Sequence, residues 1–219
     1  MIYHKEDFIL NYWNYFLLLE DEFISIEKII PIDDINNKVF SFNYMKLYFS
    51  LCSEVDVILK EFIVYNGWFK FTRGDGNFGR YKEIILKEEP NFSNEIVVFS
   101  ETKNVIPFNS WNRDSKPTWW EDYNDIKHNR VIGNNRSENY KKANQENIIN
   151  AFCALYQIEM YFYKSIIDRN KYNDKLRMPV PQSKRIRIKN WCDNIALIDN
   201  RYILYVTEEG NLYLEGAIN

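Results

Sequence analysis

Ser41-Phe-Asn-Tyr-Met-Lys-Leu-Tyr-Phe-Ser-Leu-Cys-Ser-Glu-Val-Asp-Val-Ile-Leu-Lys-Glu-Phe-Ile-Val-Tyr65 carries the strongest helical signal in this chain of 219 residues. Tyr44, Leu47, Tyr48, Leu51, Val55, Ile58, Leu59 and Phe62 recur at three- and four-residue steps and form one apolar stripe. Asn66-Gly67 supplies the C-terminal stop. On the N-terminal side, Phe8, Tyr12, Tyr15, Phe16, Leu19 and Phe23 repeat the period and predict a helix from Glu6 to about Ile30. Pro31 and Asp33-Asp34 end it.

Residues 67–116 change character, with Gly74, Gly76 and Gly79 clustered and Pro90 and Pro107 as punctuation. Two β-rich runs, Glu83–Leu86 and Glu95–Phe99, suggest a small hairpin inside an irregular insertion. Helix returns at Thr118, where Thr118-Trp-Trp-Glu121 fits a capping box, and is expected to reach about Val131 before a break at Gly133-Asn134-Asn135. A further helix is expected from near Ser137 to about Asp168, with Ala143, Ile148, Ala151, Leu155, Ile158 and Phe162 on its apolar face. Beyond Pro179 and Pro181 the period becomes two. Arg185–Lys189 alternates, Ile195–Ile198 and Tyr202–Val206 flank a turn at Asp199-Asn200, and Leu212–Leu214 offers a further strand. The expected architecture is mainly α: a helical bundle over residues 1–180 with an insertion at about 67–116, then a small β-rich C-terminal element over 181–219.

Composition narrows the chemistry. Apolar residues make up 46% of the chain, which excludes disorder, and no Walker-type or G-x-G-x-x-G phosphate cradle occurs. Two histidines, His4 and His128, and three dispersed cysteines, Cys52, Cys153 and Cys192, do not make a zinc finger or a multi-histidine metal site, so no metal and no cofactor is expected. No apolar run approaches the ~20 residues of a membrane span, and no signal peptide opens the chain. A soluble cytoplasmic protein with reduced thiols is the expectation. The net charge of −3 hides a polarity: residues 1–66 carry 11 acidic and 5 basic side chains, whereas 168–190 carry 8 basic and 2 acidic. Such a basic stretch either holds a polyanion such as RNA or is a solvated linker and guarded strand edge.

The most specific chemistry lies in Trp119-Trp-Glu-Asp-Tyr-Asn-Asp-Ile-Lys-His-Asn-Arg130. At about 100° per residue, and with Tyr123 at zero, Arg130 falls near −20°, Lys127 near 40°, Trp120 near 60°, Asn124 near 100° and His128 near 140°. Trp119 and Ile126 point the other way, as core anchors. One broad face thus suits a phosphodiester. Lys127 and Arg130 can neutralise phosphate oxygens, Asn124 can orient the imidazole or the phosphate, and Trp120 or Tyr123 can stack a base. His128 can take the proton from a ribose 2′-hydroxyl without a metal. The same residues also fit an aromatic helix that packs under a loop. Other residues carry less: Glu54 and Asp56 read as a solvated helix edge, Cys153 as a core residue, and Ser110 and Ser115 lack a readable histidine partner.

Tyr123-Asn124-Asp125-Ile126-Lys127-His128, with Pro107-Phe108, Trp111, Trp119-Trp120, Arg130, the pair Ala143-Asn144 opening a long helix, and Cys52-Ser-Glu-Val-Asp56, resembles a variant branch of the HEPN superfamily across roughly residues 40–165. The family signature is an arginine, a polar residue, three residues and a histidine; here Tyr123 stands at the arginine position. The resemblance implies a helical bundle, a homodimer that joins two motif faces into one cleft, and a metal-independent endoribonuclease, or a degenerate RNA-binding relative, of a bacterial toxin–antitoxin or antiphage defence system, with an antitoxin as a possible partner. It implies His128 as general base or acid, Asn124 as orienting residue, Lys127 and Arg130 as stabilisers of the pentavalent phosphorane, and the Tyr123 hydroxyl as an auxiliary donor. The alternatives are a non-catalytic dimerisation or interaction module and a nucleotide sensor with a closed pocket between Trp120, Tyr123 and the insertion.

Overall fold

The structure, a computed structural model, describes residues 4–100, 103–131, 138–170, 178–189, 191, 195–199, 202–206 and 212–216. The mainly helical class holds, and the bundle is arranged around one central helix. Helix α1 (Lys5–Phe8), a π-helical stretch (Ile9–Trp13) and α2 (Asn14–Glu27) form one continuous rod, because Phe8, Trp13 and Asn14 all keep right-handed helical backbone angles. Asp33 accepts from the Ile35 N–H at 2.9 Å and opens a 3-10 turn (Asp34–Asn36), as the chain reverses.

Helix α3 (Phe42–Tyr65) is capped by the Ser41 hydroxyl, which accepts from the Tyr44 N–H at 3.0 Å. It ends as its sequence demands. Gly67 takes φ +72°, the Gly67 N–H donates to the Val64 carbonyl, and the Trp68 N–H donates to the Ile63 carbonyl. Trp68 then packs edge-on against Phe62 at 4.8 Å.

The insertion is more ordered than its glycines suggest. Residues 83–86, expected as a strand, lie inside helix α4 (Phe78–Glu88). Asn77 caps that helix through the Arg80 N–H at 3.0 Å, and Phe78, Tyr81 and Ile85 bury one helical face, so a cap and a 3.6-residue period prevail over a short β-branched run. Strand β1 (Val97–Phe99) pairs antiparallel with β2 (Lys103–Val105) on one side and with β3 (Ile186–Ile188) on the other, giving the order β2-β1-β3. The alternating Arg185–Lys189 segment therefore completes a sheet begun in the insertion. Strands β4 (Ile195–Asp199), β5 (Tyr202–Val206) and β6 (Leu212–Gly216) form a separate antiparallel meander.

Helix α5 (Thr118–His128) starts with Pro117 in the capping position. No side-chain capping bond forms there, so the expected Thr118–Glu121 box is absent; the Pro117 carbonyl instead accepts from the Trp120 and Glu121 N–H groups at 2.9 and 3.1 Å. The helix stops at His128 rather than near Val131. Helix α6 (Gln145–Asn170) begins eight residues later than the apolar pattern suggests, after a 3-10 turn (Asn139–Lys142). Asn144 sets its start by accepting from the Asn147 N–H at 3.1 Å. The expected break at Gly133-Asn134-Asn135, the expected start at Ser137, the Asn200 turn, Cys192, and the basic residues Lys171, Lys175 and Arg177 lie outside the described residues.

All residues from 151 to 163 are buried, so α6 is covered all round rather than on one face. Phe16 stacks on Phe152 at 5.1 Å, Phe8 meets Phe162 edge-on at 5.5 Å, and Tyr65 of α3 meets Phe162 at 5.5 Å. Phe23 meets Phe99 of β1 at 5.4 Å. The charge polarity of the sequence is partly neutralised within the fold. The buried Glu20 carboxylate accepts from the Ser183 hydroxyl and from the Lys184 and Arg185 N–H groups, while Lys184 pairs with Asp21 at 2.7 Å and Arg185 with Glu27 at 2.8 Å. Among the described residues no helix is long and apolar enough to cross a membrane.

One polar group in the core stands without support. Both Glu159 carboxyl oxygens are buried with no hydrogen-bond partner, and burial, reinforced by the charge of Glu54, holds this carboxyl well above the usual carboxylate range. A carboxyl raised in the folded state stabilises fully below its unfolded value and loses that contribution as pH rises toward the folded value. Glu159→Gln should therefore be more stable than the parent above about pH 5, by up to ~1.4 kcal/mol per pH unit, with the gap closing toward pH 4. Thermal melts of both proteins across that range check it, and a pH-independent gap would refute it. Trp119 is buried and its indole N–H donates to the Pro107 carbonyl at 2.9 Å. Trp119→Ala should cost about 3–5 kcal/mol in chemical unfolding.

Candidate functional site

Helix α5 presents two faces of opposite character. Trp119 and Ile126 point into the core, as their angular positions require. Trp120 and Tyr123 are also largely covered, at 9% and 6% exposure. Trp120 lies flat on Phe78 at 4.2 Å, and Tyr123 meets Tyr48 and Phe49 of α3 edge-on at 6.1 and 5.6 Å. One face of the Trp120 indole is thus already occupied, and these two rings form walls rather than projecting platforms.

The far side of α5 is fixed to the start of α6. The Lys142 ammonium bridges Asp122 at 2.9 Å and Asp125 at 2.5 Å, and the Asn147 amide donates to Asp122 at 2.8 Å. Asn139 donates to the Asn129 carbonyl at 2.7 Å, and the Tyr140 N–H donates to the Arg130 carbonyl. These bonds occupy the carbonyl of the helix's capping residue and that of the residue after it. They hold the last turn, with Lys127 and His128, in one place.

Between α3, the chain entering α4, and α5 lies an open depression of about 700 Å³. Trp120, Tyr123, Asn124, Lys127 and His128 all line it. Arg130 does not; its guanidinium sits over the Phe49 ring at 5.5 Å, beyond the last turn. Trp120 and Tyr123 there meet Gly76, Asn77 and Phe78 of the insertion. His128 and Lys127 are exposed. The Lys127 ammonium stands 5.5 Å from the centre of the Tyr123 ring. The Asn124 amide N–H₂ donates to the Trp120 carbonyl of its own helix at 2.7 Å, which leaves its side-chain oxygen as the group available to the depression. No hydrogen bond joins Asn124 to His128.

Sequence reasoning missed the floor. Asp56 accepts from the Tyr81 hydroxyl at 3.0 Å and pairs with Lys60 one turn on. The i,i+4 spacing of Asp56 and Lys60 was readable as a helix-face pair, but Tyr81 reaches them from α4, which the β-rich reading of that segment concealed. Gly76 lies close over the trio: a Cβ there would stand 2.7 Å from the Tyr81 hydroxyl and 2.8 Å from Lys60 Cε. Burial pushes the Tyr123 phenol up, with Cys52 and Asp56 adding to it, so it stays a neutral O–H donor at physiological pH. Lys116, just ahead of α5, lines the rim and carried no sequence signal at all.

Among the described residues no group of three or more His, Cys, Asp or Glu side chains converges to hold a metal ion. Compared with family models, curated proteins and solved structures, the chain matches none. Gly76→Ala should displace Tyr81 and Lys60 from Asp56 and cost about 1–3 kcal/mol, read by thermal unfolding, whereas Gly79→Ala, whose Cβ meets only Asn77 at 3.4 Å, should cost less.

Proposed function

We propose that this chain is an RNA-directed protein of the HEPN-like kind, with the depression beside α5 as its phosphodiester site, working in a bacterial defence or toxin setting. The observation that carries the reading is an imbalance of commitment. The Asp56 and Asp125 carboxylates on the lining are already paired with Lys60 and Lys142. Lys116, Lys127 and Arg130 have no carboxylate partner, and the Tyr123 hydroxyl and His128 imidazole have no hydrogen-bond partner, among the described residues. Glu121 on the same lining is unpaired among the described residues, so the free cations there, Lys116 and Lys127, outnumber the free anion by two to one, and such a surface attracts polyanions.

In cleavage, His128 takes the proton of a ribose 2′-hydroxyl, the 2′-oxygen attacks the adjacent phosphorus, and the bond to the 5′-oxygen breaks. A proton returned to that oxygen gives a 5′-hydroxyl end and a 2′,3′-cyclic phosphate. Lys116 and Lys127, the free cations on the lining, spread the charge of the phosphorane. Pairing two copies across the open side of α5 would close the depression and double its cations, so we include a homodimer in the proposal. A second reading, RNA binding without cleavage, has its own support: His128 has no group that fixes its ring.

The test is RNA cleavage in EDTA by the parent chain and by His128→Ala. Fragments ending in 2′,3′-cyclic phosphate, lost in the variant while its melting temperature stays within the equivalent of ~0.5 kcal/mol, establish the nuclease. RNA bound but uncut establishes the binding module. Lys127→Ala should weaken RNA binding and reduce the salt dependence by about one charge; no RNA binding at low salt would refute the proposal.

A further inference from the structure

We infer that the floor of the depression is a nucleobase site shaped for guanine, with Asp56 accepting from the base and the Tyr123 hydroxyl donating to it. The inference rests on the phosphodiester reading and adds what the RNA must present there. A phosphate-binding surface gains nothing from a carboxylate on its floor, since the carboxylate repels the ligand. Asp56 nevertheless lines the depression, with its side chain 34% exposed. It is held from behind by the Tyr81 hydroxyl on one oxygen and by Lys60 on the other. A carboxylate has about four lone-pair sites, so one on each oxygen stays open. A fixed acceptor pair of this kind calls for two adjacent N–H donors. Among the common bases only guanine places two, N1–H and the exocyclic N2–H, side by side, with the O6 acceptor next to them.

Tyr123 supplies the matching donor. Its ring is fixed by Tyr48, Phe49 and Trp120, it lines the same depression, and its hydroxyl donates to no protein group. Guanine O6 has the acceptor that this O–H lacks. Val57, 42% exposed, and the edge of Phe78 give a flat ring apolar walls, while Lys116 and Lys127 at the rim meet its phosphate. The volume of about 700 Å³ lies within the range of small-ligand sites and leaves room for one nucleotide. The close approach of Gly76 to Tyr81 and Lys60 leaves no space for a side chain between the entering loop and these two anchors.

Binding of GMP, AMP, CMP, UMP and ribose 5-phosphate to the full chain, read by calorimetry, tests this. GMP should bind about tenfold or more tighter than ribose 5-phosphate and tighter than the other three nucleotides. Asp56→Asn, which turns one acceptor into a donor, should reduce GMP to the level of ribose 5-phosphate. Because Asp56 also holds Tyr81 and Lys60, Tyr123→Phe serves as the second variant: it deletes one O–H, keeps the ring, and should cost GMP several-fold with ribose 5-phosphate unchanged. GMP no tighter than ribose 5-phosphate, a preference for another base, or a GMP preference that survives both variants would overturn the guanine site while the phosphate reading stands. Failure of every phosphate compound to bind would overturn both.

Discussion

Helix α6 meets no water over most of its length, and each surrounding element is placed by the part of that helix it must cover. The α1–α2 rod brings Phe8, Trp13 and Phe16 to one side; α3 brings Phe62 and Tyr65 to another; α5 and the β1 sheet cover what remains. A helix apolar all round belongs in the centre of a fold. The cost of that arrangement falls on its polar side chains: Glu159 has no hydrogen-bond partner, while two glutamines reach the backbone of neighbouring segments. Gln145 accepts from the Asp33 N–H and donates to the Pro31 carbonyl, and Gln157 donates to the Phe92 carbonyl. These bonds fix the loops on which the helical layers turn.

The position of α5 follows from the same requirement. Trp119 and Ile126 belong to the core, and Lys142 with Asn147 ties the helix to the start of α6 through Asp122 and Asp125. The polar face left over is turned toward α3 and the loop entering α4. The depression therefore lies where α3, α5 and the chain entering α4 meet, and its chemistry comes from polar side chains that the core did not claim, set against two aromatic rings that it did.

The long elements were legible because their apolar residues repeat over many turns: α3 was readable from Ser41 to Gly67 almost residue for residue. Short elements were decided by signals a window average hides. Residues 83–86 look β-rich alone, but Asn77 six residues after Phe71 starts a helix that carries them along. The start of α6 was displaced because Ala143 sits on the apolar phase of a helix that Asn144 has yet to cap. In the site, Trp120, Tyr123, Asn124, Lys127 and His128 were found together because they share one helix face, which periodicity reports. Asp56, Tyr81 and Gly76 come from α3, from α4 and from the loop between them, and only tertiary packing makes them neighbours.

The sheet order β2-β1-β3 has a consequence for how the chain is made. Strand β1 is the middle strand, yet one of its two partners is encoded about 90 residues later. Until residues 186–188 have been made, Val97–Phe99 has β2 as its one partner and its other edge has nothing in this sheet to pair with. Such an edge recruits other strands, including those of neighbouring nascent chains. Ile186–Ile188 covers that edge, and the Glu20 carboxylate, by seating residues 183–185, anchors the chain just ahead of the strand that does so.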